Sequence, residues 1–155
     1  MNKSIEWYCD EEEFAPATDE DIAKVEHYFN IRFPEDFRRE IKYSHGCNPS
    51  LDCIKVKNHE EVVDYLASFS PNDRFYIIKQ YERQKDRLVE GIYPIADDPF
   101  GNAFCYDYRK DPDNPSIVFW NHEYAYENPE EALTYVCGSF TEFLSMLYEI
   151  DEDDI

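Results

Sequence analysis

The sequence predicts an α+β domain in which an antiparallel or mixed β-sheet meander is flanked by N-terminal helices and a C-terminal helix. Apolar residues recur at helical spacing near the N-terminus, short apolar segments separated by turn residues follow, and a capped apolar segment closes the chain. The length of 155 residues fits one domain over residues 1–155. Residues 1–17 form an irregular or extended lead-in, and residues 151–155 form an acidic tail expected to fray.

Two helices are predicted before Gly46. Thr18 is placed as the N-cap of the first, over residues 18–29, because acidic residues follow it where the helix dipole favours negative charge. Its apolar face consists of Ile22, Val25 and Phe29. Pro34 suits the first position of the second helix, and Gly46 can adopt the left-handed conformation that ends it.

The middle of the chain is predicted to mix strands and helices. Residues 51–56 alternate as in a strand, and Asn58 or His59 is expected to open a short helix that carries Val62, Val63 and Leu66. Residues 73–88 have helical spacing, although 75–78 would also suit a strand.

The second half predicts the meander and the closing helix. The strands are expected at residues 91–96, 103–108 and 117–120, with weaker candidates at 124–126 and 133–136. Turn-forming residues 97–102 join the first two strands, and a polar loop over 109–115 follows the second. Ser139 and Glu142 form a capping box for the final helix. Its apolar face consists of Phe140, Phe143, Leu144, Leu147 and Tyr148.

The net charge of the chain limits the kinds of molecule that it is expected to bind. The chain has 35 acidic and 15 basic residues, a formal charge of −20. Such a surface repels nucleic acid and anionic membranes and attracts cationic proteins, so a protein partner is expected, with no nucleic acid and no membrane. Acidity that serves only solubility remains an alternative. The oligomeric state is left open between a monomer and a weak dimer.

Cysteine usage and the N-terminus favour a cytoplasmic location. The cysteines lie at 9, 47, 53, 105 and 137. Their odd number and the lack of a C-x-x-C spacing argue against a disulfide framework. Cys53 and Cys105 sit in apolar runs as small hydrophobes, and Cys47 is expected to be a buried or loop-packing residue. The N-terminus turns acidic at once and has no apolar segment typical of a secretory signal.

No motif predicts catalysis, a metal or a cofactor. His59 and His122 are each followed by glutamate, but no second histidine follows at the spacing that zinc proteases need. Asp97 and Asp98 do not have the spacing of a calcium loop and are better explained by a structural turn. A small hydrolase that uses carboxylates or Cys47 is the least favoured alternative.

The segment 120–126 differs because it concentrates large aromatic residues with a histidine and a glutamate. Tyrosine and tryptophan are common anchors of protein interfaces. For Trp120 core packing is the favoured role, whereas Glu123, Tyr124 and Tyr126 are better candidates for a surface role. The predicted partner-binding residues are Asp97, Asp98, Trp120, Glu123, Tyr124 and Tyr126.

Four stretches form a recognisable combination. They are T-D-E-D-I-A-K-V-E-H-Y-F-N-I-R-F-P-E-D-F-R at 18–38, the His45-Gly46 pair, Y-P-I-A-D-D-P-F-G-N-A-F-C-Y-D at 93–107 and G-S-F-T-E-F-L at 138–144. Together they resemble the SUKH superfamily, whose eukaryotic members are yeast cell-wall regulators of the Smi and Knr type. The resemblance implies a SUKH-like α+β fold without catalytic residues. It also implies a cytosolic immunity protein that binds a cognate toxin, often a nuclease. A regulatory or scaffolding module is the second hypothesis.

Overall fold

The structure, a computed structural model that describes residues 4–10 and 12–150, confirms the α+β class. Within these residues the strands form one four-stranded antiparallel sheet and two two-stranded antiparallel pairs, accompanied by five α-helices. The tail predicted at 151–155 and the start of the lead-in at 1–3 lie outside the described residues.

The lead-in is tied to the body of the domain. Strand β1 (Trp7–Tyr8) pairs with β2 (Asn48–Pro49), and the next position along this pair brings Cys9 opposite Cys47, where they form a disulfide. Cys47 is buried, as expected, but its disulfide with Cys9 was not predicted from the sequence. The spacing of cysteines carries no information on which strands pair. Cys53, Cys105 and Cys137 are free and buried.

Helices α1 (Asp19–Phe29) and α2 (Glu35–Ser44) form where the sequence predicts them. The Thr18 hydroxyl accepts a hydrogen bond from the Asp21 N–H, and the Asp21 carboxylate accepts one from the Thr18 N–H, so the first helix begins with a capping box. Gly46 has φ +73° just after α2, as the predicted helix end requires. The buried apolar faces of both helices pack into the main core.

The short helix predicted from residue 58 is wrong, because this segment is a β-hairpin. Strand β3 (Cys53–Val56) pairs with β4 (His59–Val62) through a two-residue turn at Lys57 and Asn58. Both turn residues have positive φ, 48° and 75°, which is the geometry of a tight hairpin turn. Asn58 tolerates this conformation, and the strand pairing outweighs the helical spacing of the valines.

The helix predicted over 73–88 is shorter than expected. Helix α3 (Ile77–Gln84) continues into a single 3-10 turn at Lys85–Arg87. Residues 73–76 precede it as an irregular segment, in which the Asp73 carboxylate accepts a hydrogen bond from the Phe75 N–H. This local bond competes with helical pairing and delays the start of the helix.

The four-stranded sheet is the predicted meander, with the strands in chain order. They are β5 (Ile92–Asp97), β6 (Ala103–Asp107), β7 (Ser116–Trp120) and β8 (Leu133–Cys137). Both faces are covered: Phe104 and Tyr106 point into the main core, whereas Ala103 and Cys105 belong to a second, smaller cluster with Trp120. The β6 strand is therefore buried along its whole length.

Two short helices complete the fold. The strand candidate at 124–126 is wrong, because α4 (His122–Ala125) occupies this segment, with the Asn121 side chain accepting a hydrogen bond from the Glu123 N–H as its N-cap. Helix α5 (Phe140–Ser145) begins at the predicted cap, where the Ser139 hydroxyl accepts from the Glu142 N–H. The Glu142 carboxylate accepts from the Gly138 N–H, one residue earlier than in a standard capping box.

Candidate protein-binding surface

The β5–β6 hairpin and helix α4 lie side by side and form a single surface, which we call the hairpin–α4 surface (residues 97–102 and 122–126). Asn102 joins the two parts: its side-chain amide donates to the Asp98 carboxylate at 2.8 Å, and its side-chain oxygen accepts from the His122 N–H at 3.0 Å. Gly101 has φ +94° and packs so closely that an added Cβ would lie 3.1 Å from the His122 ring. The close contact between the hairpin and α4 therefore requires glycine at position 101.

Asp98 organises the hairpin turn. Its carboxylate accepts hydrogen bonds from the N–H groups of Phe100 and Asn102, at 2.8 and 2.7 Å, in addition to the Asn102 side chain. Only 5% of the residue is exposed. A carboxylate with this many internal donors holds the turn together and offers little to a partner, in line with the structural role that the sequence favours.

The surroundings of Asp97 raise the pKa of its carboxylate. One carboxylate oxygen accepts from the Tyr65 N–H at 2.8 Å. Burial, together with the nearby carboxylates of Asp64 and Asp98, raises the pKa of Asp97 to about 6, against the opposing effect of the Tyr65 hydrogen bond.

Two more carboxylates contribute to this negative region. Burial, with the charge of Asp98 as a second cause, raises the pKa of Glu61 on β4. Burial likewise raises the pKa of Asp64, although Asn48 donates a hydrogen bond to its carboxylate at 2.9 Å. The side chains of Glu61, Asp64, Asp97 and Asp98 thus share one negative region beside the hairpin. Sequence reasoning missed Glu61 because it placed this segment on a helix.

Exposed aromatic side chains belong to the same hairpin–α4 surface. Tyr124 is 58% exposed, Tyr126 is 74% exposed, and Phe100 at the hairpin tip is 68% exposed. Glu123 is exposed beside them. Phe100 was not among the predicted site residues, although its position inside a predicted turn indicates exposure. Large aromatic residues that the fold does not bury are typical anchors of protein interfaces.

Trp120 lies in the core beneath this surface. It is fully buried, and its indole N–H donates to the Arg87 carbonyl at 3.4 Å. The Arg87 guanidinium lies between two rings, with its central carbon 5.4 Å from the Trp120 centroid and 5.1 Å from that of Tyr126. Through these cation–π contacts Arg87 links the exposed Tyr126 ring to the buried Trp120. Of the six predicted residues, the structure places Glu123, Tyr124 and Tyr126 on the outside, Asp97 half-buried, and Asp98 and Trp120 inside.

Nothing in the described part of the chain gathers three or more histidine, cysteine, aspartate or glutamate side chains in a way that could hold a metal ion. In residues 4–10 and 12–150, no helix combines the length and the apolar character that a membrane crossing requires.

Comparison with known proteins identifies a family and a relative of this chain. The SMI1-KNR4 cell-wall family, SUKH_6, matches residues 19–144, a range that contains the hairpin and α4. The SPbeta prophage-derived uncharacterized protein YokK of Bacillus subtilis (strain 168) is 24% identical over 164 residues. That alignment covers 88% of this chain and 80% of the Bacillus protein.

Proposed function

Because the chain belongs to the SMI1-KNR4 cell-wall family of the SUKH group, which includes bacterial immunity proteins, we propose that it is an immunity protein that binds and neutralises a cognate toxin. The match confirms the resemblance predicted from the sequence. We further propose that the toxin is a basic, nuclease-type protein and that the hairpin–α4 surface contacts it.

The observation that carries this proposal is that exposed aromatic rings and the buried or half-buried carboxylates of Asp97 and Asp98 belong to one surface, which Asn102 joins. A nuclease needs a cationic face to hold its polyanionic substrate. A protein with a formal charge of −20 is attracted to that face and competes with the nucleic acid for it. Rim charges mainly accelerate association, so tight inhibition needs buried anchors, and Tyr124, Tyr126 and Phe100 are the side chains available for that role.

The negative charge is not uniform over the chain, and a positively charged part of α3 provides a control for the electrostatic argument. Lys79 and Arg83 on α3 are exposed four residues apart on one helix face, and no carboxylate among the described residues pairs with either of them. A cationic toxin is therefore not expected to approach this part of α3.

The test begins with capture of a partner from the source cell, followed by its expression alone and together with this chain. An immunity protein requires that the partner alone arrests growth and that coexpression restores it. The double variant Tyr124→Ala/Tyr126→Ala is expected to weaken binding by more than about tenfold, because two anchors each contribute more than about 1 kcal/mol. Tyr43→Ala is the matched control, since Tyr43 is 69% exposed on α2 and lies outside the proposed surface.

Variants that reverse the sign of one charge distinguish long-range electrostatic attraction of the partner from direct contact at the interface. Glu123→Lys is expected to slow association and to reduce its dependence on salt, whereas Lys79→Glu, on the α3 face, should not slow it. A partner that is harmless alone and belongs to a housekeeping complex would refute the immunity function and support a regulatory module. Wild-type affinity in the double tyrosine variant would instead refute the assigned surface.

A further inference from the structure

The Cys9–Cys47 disulfide joins two segments that the rest of the fold holds with very different firmness. Cys47 is held on both sides, because its N–H donates to the Ser44 carbonyl and its own carbonyl accepts from the Leu66 N–H, each at 3.0 Å. The residue is only 1% exposed. The His45 carbonyl oxygen lies 3.4 Å from the Cys47 sulfur and can accept a hydrogen bond from the thiol that reduction produces. Cys47 therefore keeps its position whether or not the disulfide is formed.

The lead-in around Cys9 is held much less firmly. The β1–β2 pair consists of two residues from each strand, and Pro49, which lies opposite Trp7, has no N–H to donate. A pair of two such short strands is at best marginally stable on its own. Beyond Cys9 the Phe14 N–H donates to the Asp10 carbonyl at 2.8 Å, so this part of the lead-in forms a hydrogen bond within itself. The disulfide is thus the one covalent link between this segment and the domain.

The other contacts of the lead-in are modest. The Trp7 indole N–H donates to the Glu40 carboxylate on α2 at 2.8 Å, and the half-buried ring packs against the main core. Glu6 and Ser50 exchange two hydrogen bonds of 2.8 Å. Such bonds replace bonds to water and contribute little net free energy, whereas each ordered residue loses conformational entropy. We therefore expect the closed position of the lead-in to depend on the disulfide.

The disulfide is accessible to a small thiol. Cys9 is half-buried, and both cysteines line a cleft of about 970 Å³. A glutathione thiolate that attacks the Cys9 sulfur forms a mixed disulfide and releases the Cys47 thiolate. A second glutathione thiolate attacks the glutathione sulfur of the mixed disulfide, which frees the Cys9 thiolate and yields glutathione disulfide. Two electrons pass from glutathione to the protein, and the two protons of the glutathione thiols end on Cys9 and Cys47.

We propose that Cys9 and Cys47 form a redox switch that controls whether the lead-in is closed against the domain. In the disulfide form the lead-in is closed, and in the dithiol form the part before Ala15 detaches. The hydrogen bond of 2.8 Å between the buried His45 ring and the Ala15 carbonyl sets the end of the detaching part. The domain itself stays folded, because the buried residues of the main core begin at Ala17. This inference does not depend on the identity of a partner.

The test is a two-dimensional NMR spectrum of the full chain, without denaturant, in a series of glutathione buffers from oxidised to reduced. The chain has two tryptophans, and their indole N–H signals report on different parts: Trp7 on the lead-in and the fully buried Trp120 on the core. On reduction the Trp7 signal is expected to move to the position of an exposed indole. Its protection from exchange with water should fall by more than about tenfold, because the open form predominates. The Trp120 signal should stay in place.

The dependence on glutathione is also fixed by the chemistry. The ratio of reduced to oxidised protein, read from the two Trp7 signals, should rise with the square of the glutathione concentration at constant glutathione disulfide, because each disulfide consumes two thiols. A disulfide that serves only the stability of the fold would instead resist glutathione in the folded protein.

Two cysteine variants make the test specific. Cys9→Ser cannot form the disulfide and should show the Trp7 signal of the open form in every buffer. Cys53→Ala removes a buried free thiol and should respond as the wild type does. Loss of the response in Cys53→Ala would assign it to a different cysteine pair and overturn the proposal.

Three other results would overturn the proposal. One is a Trp7 signal that does not move in protein whose dithiol form is verified by alkylation in denaturant and mass spectrometry. Another is a disulfide that excess glutathione leaves intact in the folded protein. The last is displacement of the Trp120 signal together with that of Trp7, which would show that the disulfide supports the whole fold. The experiment needs no toxin, so its outcome and that of the proposed function are separate.

Discussion

Replacing Asp97 with asparagine is expected to stabilise the protein at neutral pH. The Tyr65 N–H donates to one carboxylate oxygen of Asp97, and the side-chain oxygen of asparagine can accept the same hydrogen bond. Asp97→Asn thus keeps the backbone contact and removes a negative charge from a half-buried position next to Asp64 and Asp98.

The magnitude follows from the pKa of Asp97. An increase of this pKa from 3.8 to about 6 on folding means that ionised Asp97 destabilises the native state by at most about 3 kcal/mol. The residue is partly accessible to solvent, and asparagine is itself buried at a cost. We therefore expect Asp97→Asn to raise the free energy of unfolding by about 1–3 kcal/mol at pH 7.5.

The sign of the pH dependence is fixed by the same values. Between pH 3.8 and about 6 the native state holds a proton on Asp97 that the unfolded chain has released. The contribution of this residue to the free energy of unfolding therefore falls as pH rises through that window, by at most about 1.4 kcal/mol per pH unit. The advantage of Asp97→Asn over the wild type should be absent below pH 4, grow up to about pH 6 and remain constant above it.

The assay is urea unfolding at a series of pH values, because urea leaves ionic strength unchanged. Asp113→Asn is the matched control, since Asp113 lies exposed in the loop between β6 and β7 and its replacement makes the same change in net charge. A destabilised Asp97→Asn protein, or a stability difference that does not vary between pH 4 and 6, would refute the reasoning. So would an equal gain in the control, which would assign the effect to overall charge repulsion.

Two further predictions concern contacts that connect separate parts of the fold. Cys9→Ser is expected to lower the free energy of unfolding of the oxidised protein by roughly 3–4 kcal/mol, because the disulfide closes a loop between residues 38 apart in sequence. A reducing agent should destabilise the wild type by a similar amount in urea unfolding and leave Cys9→Ser unaffected; equal sensitivity of the two would contradict the pairing. Asn102→Ala should cost about 1–3 kcal/mol, because it leaves a buried Asp98 oxygen and the His122 N–H without their partner. Unchanged urea unfolding of Asn102→Ala would show that the hairpin and α4 are held together by other contacts.

Some features of the candidate site could be predicted from the sequence because they depend on neighbours along the chain. The Asp98 turn is an example: its carboxylate bonds the N–H groups two and four residues later, and turn chemistry of this kind is local. The exposed Tyr124 and Tyr126 were predicted as surface residues, but the helix that carries them was not. The Asn121 cap decides its start, and one polar residue before an aromatic segment is a weak indication of a helix.

The sequence by itself determined the α+β class, the capped α1 and α5, the turn that ends α2 and the order of the meander strands. Helix caps, apolar periodicity and strand alternation depend on residues a few positions apart, so they can be recognised from the sequence alone. Only the tertiary structure decided that Glu61 and Asp97 share a negative region and that Cys9 meets Cys47. These contacts join residues far apart in the chain, and their register depends on which strands pair, which is set by packing of the whole core.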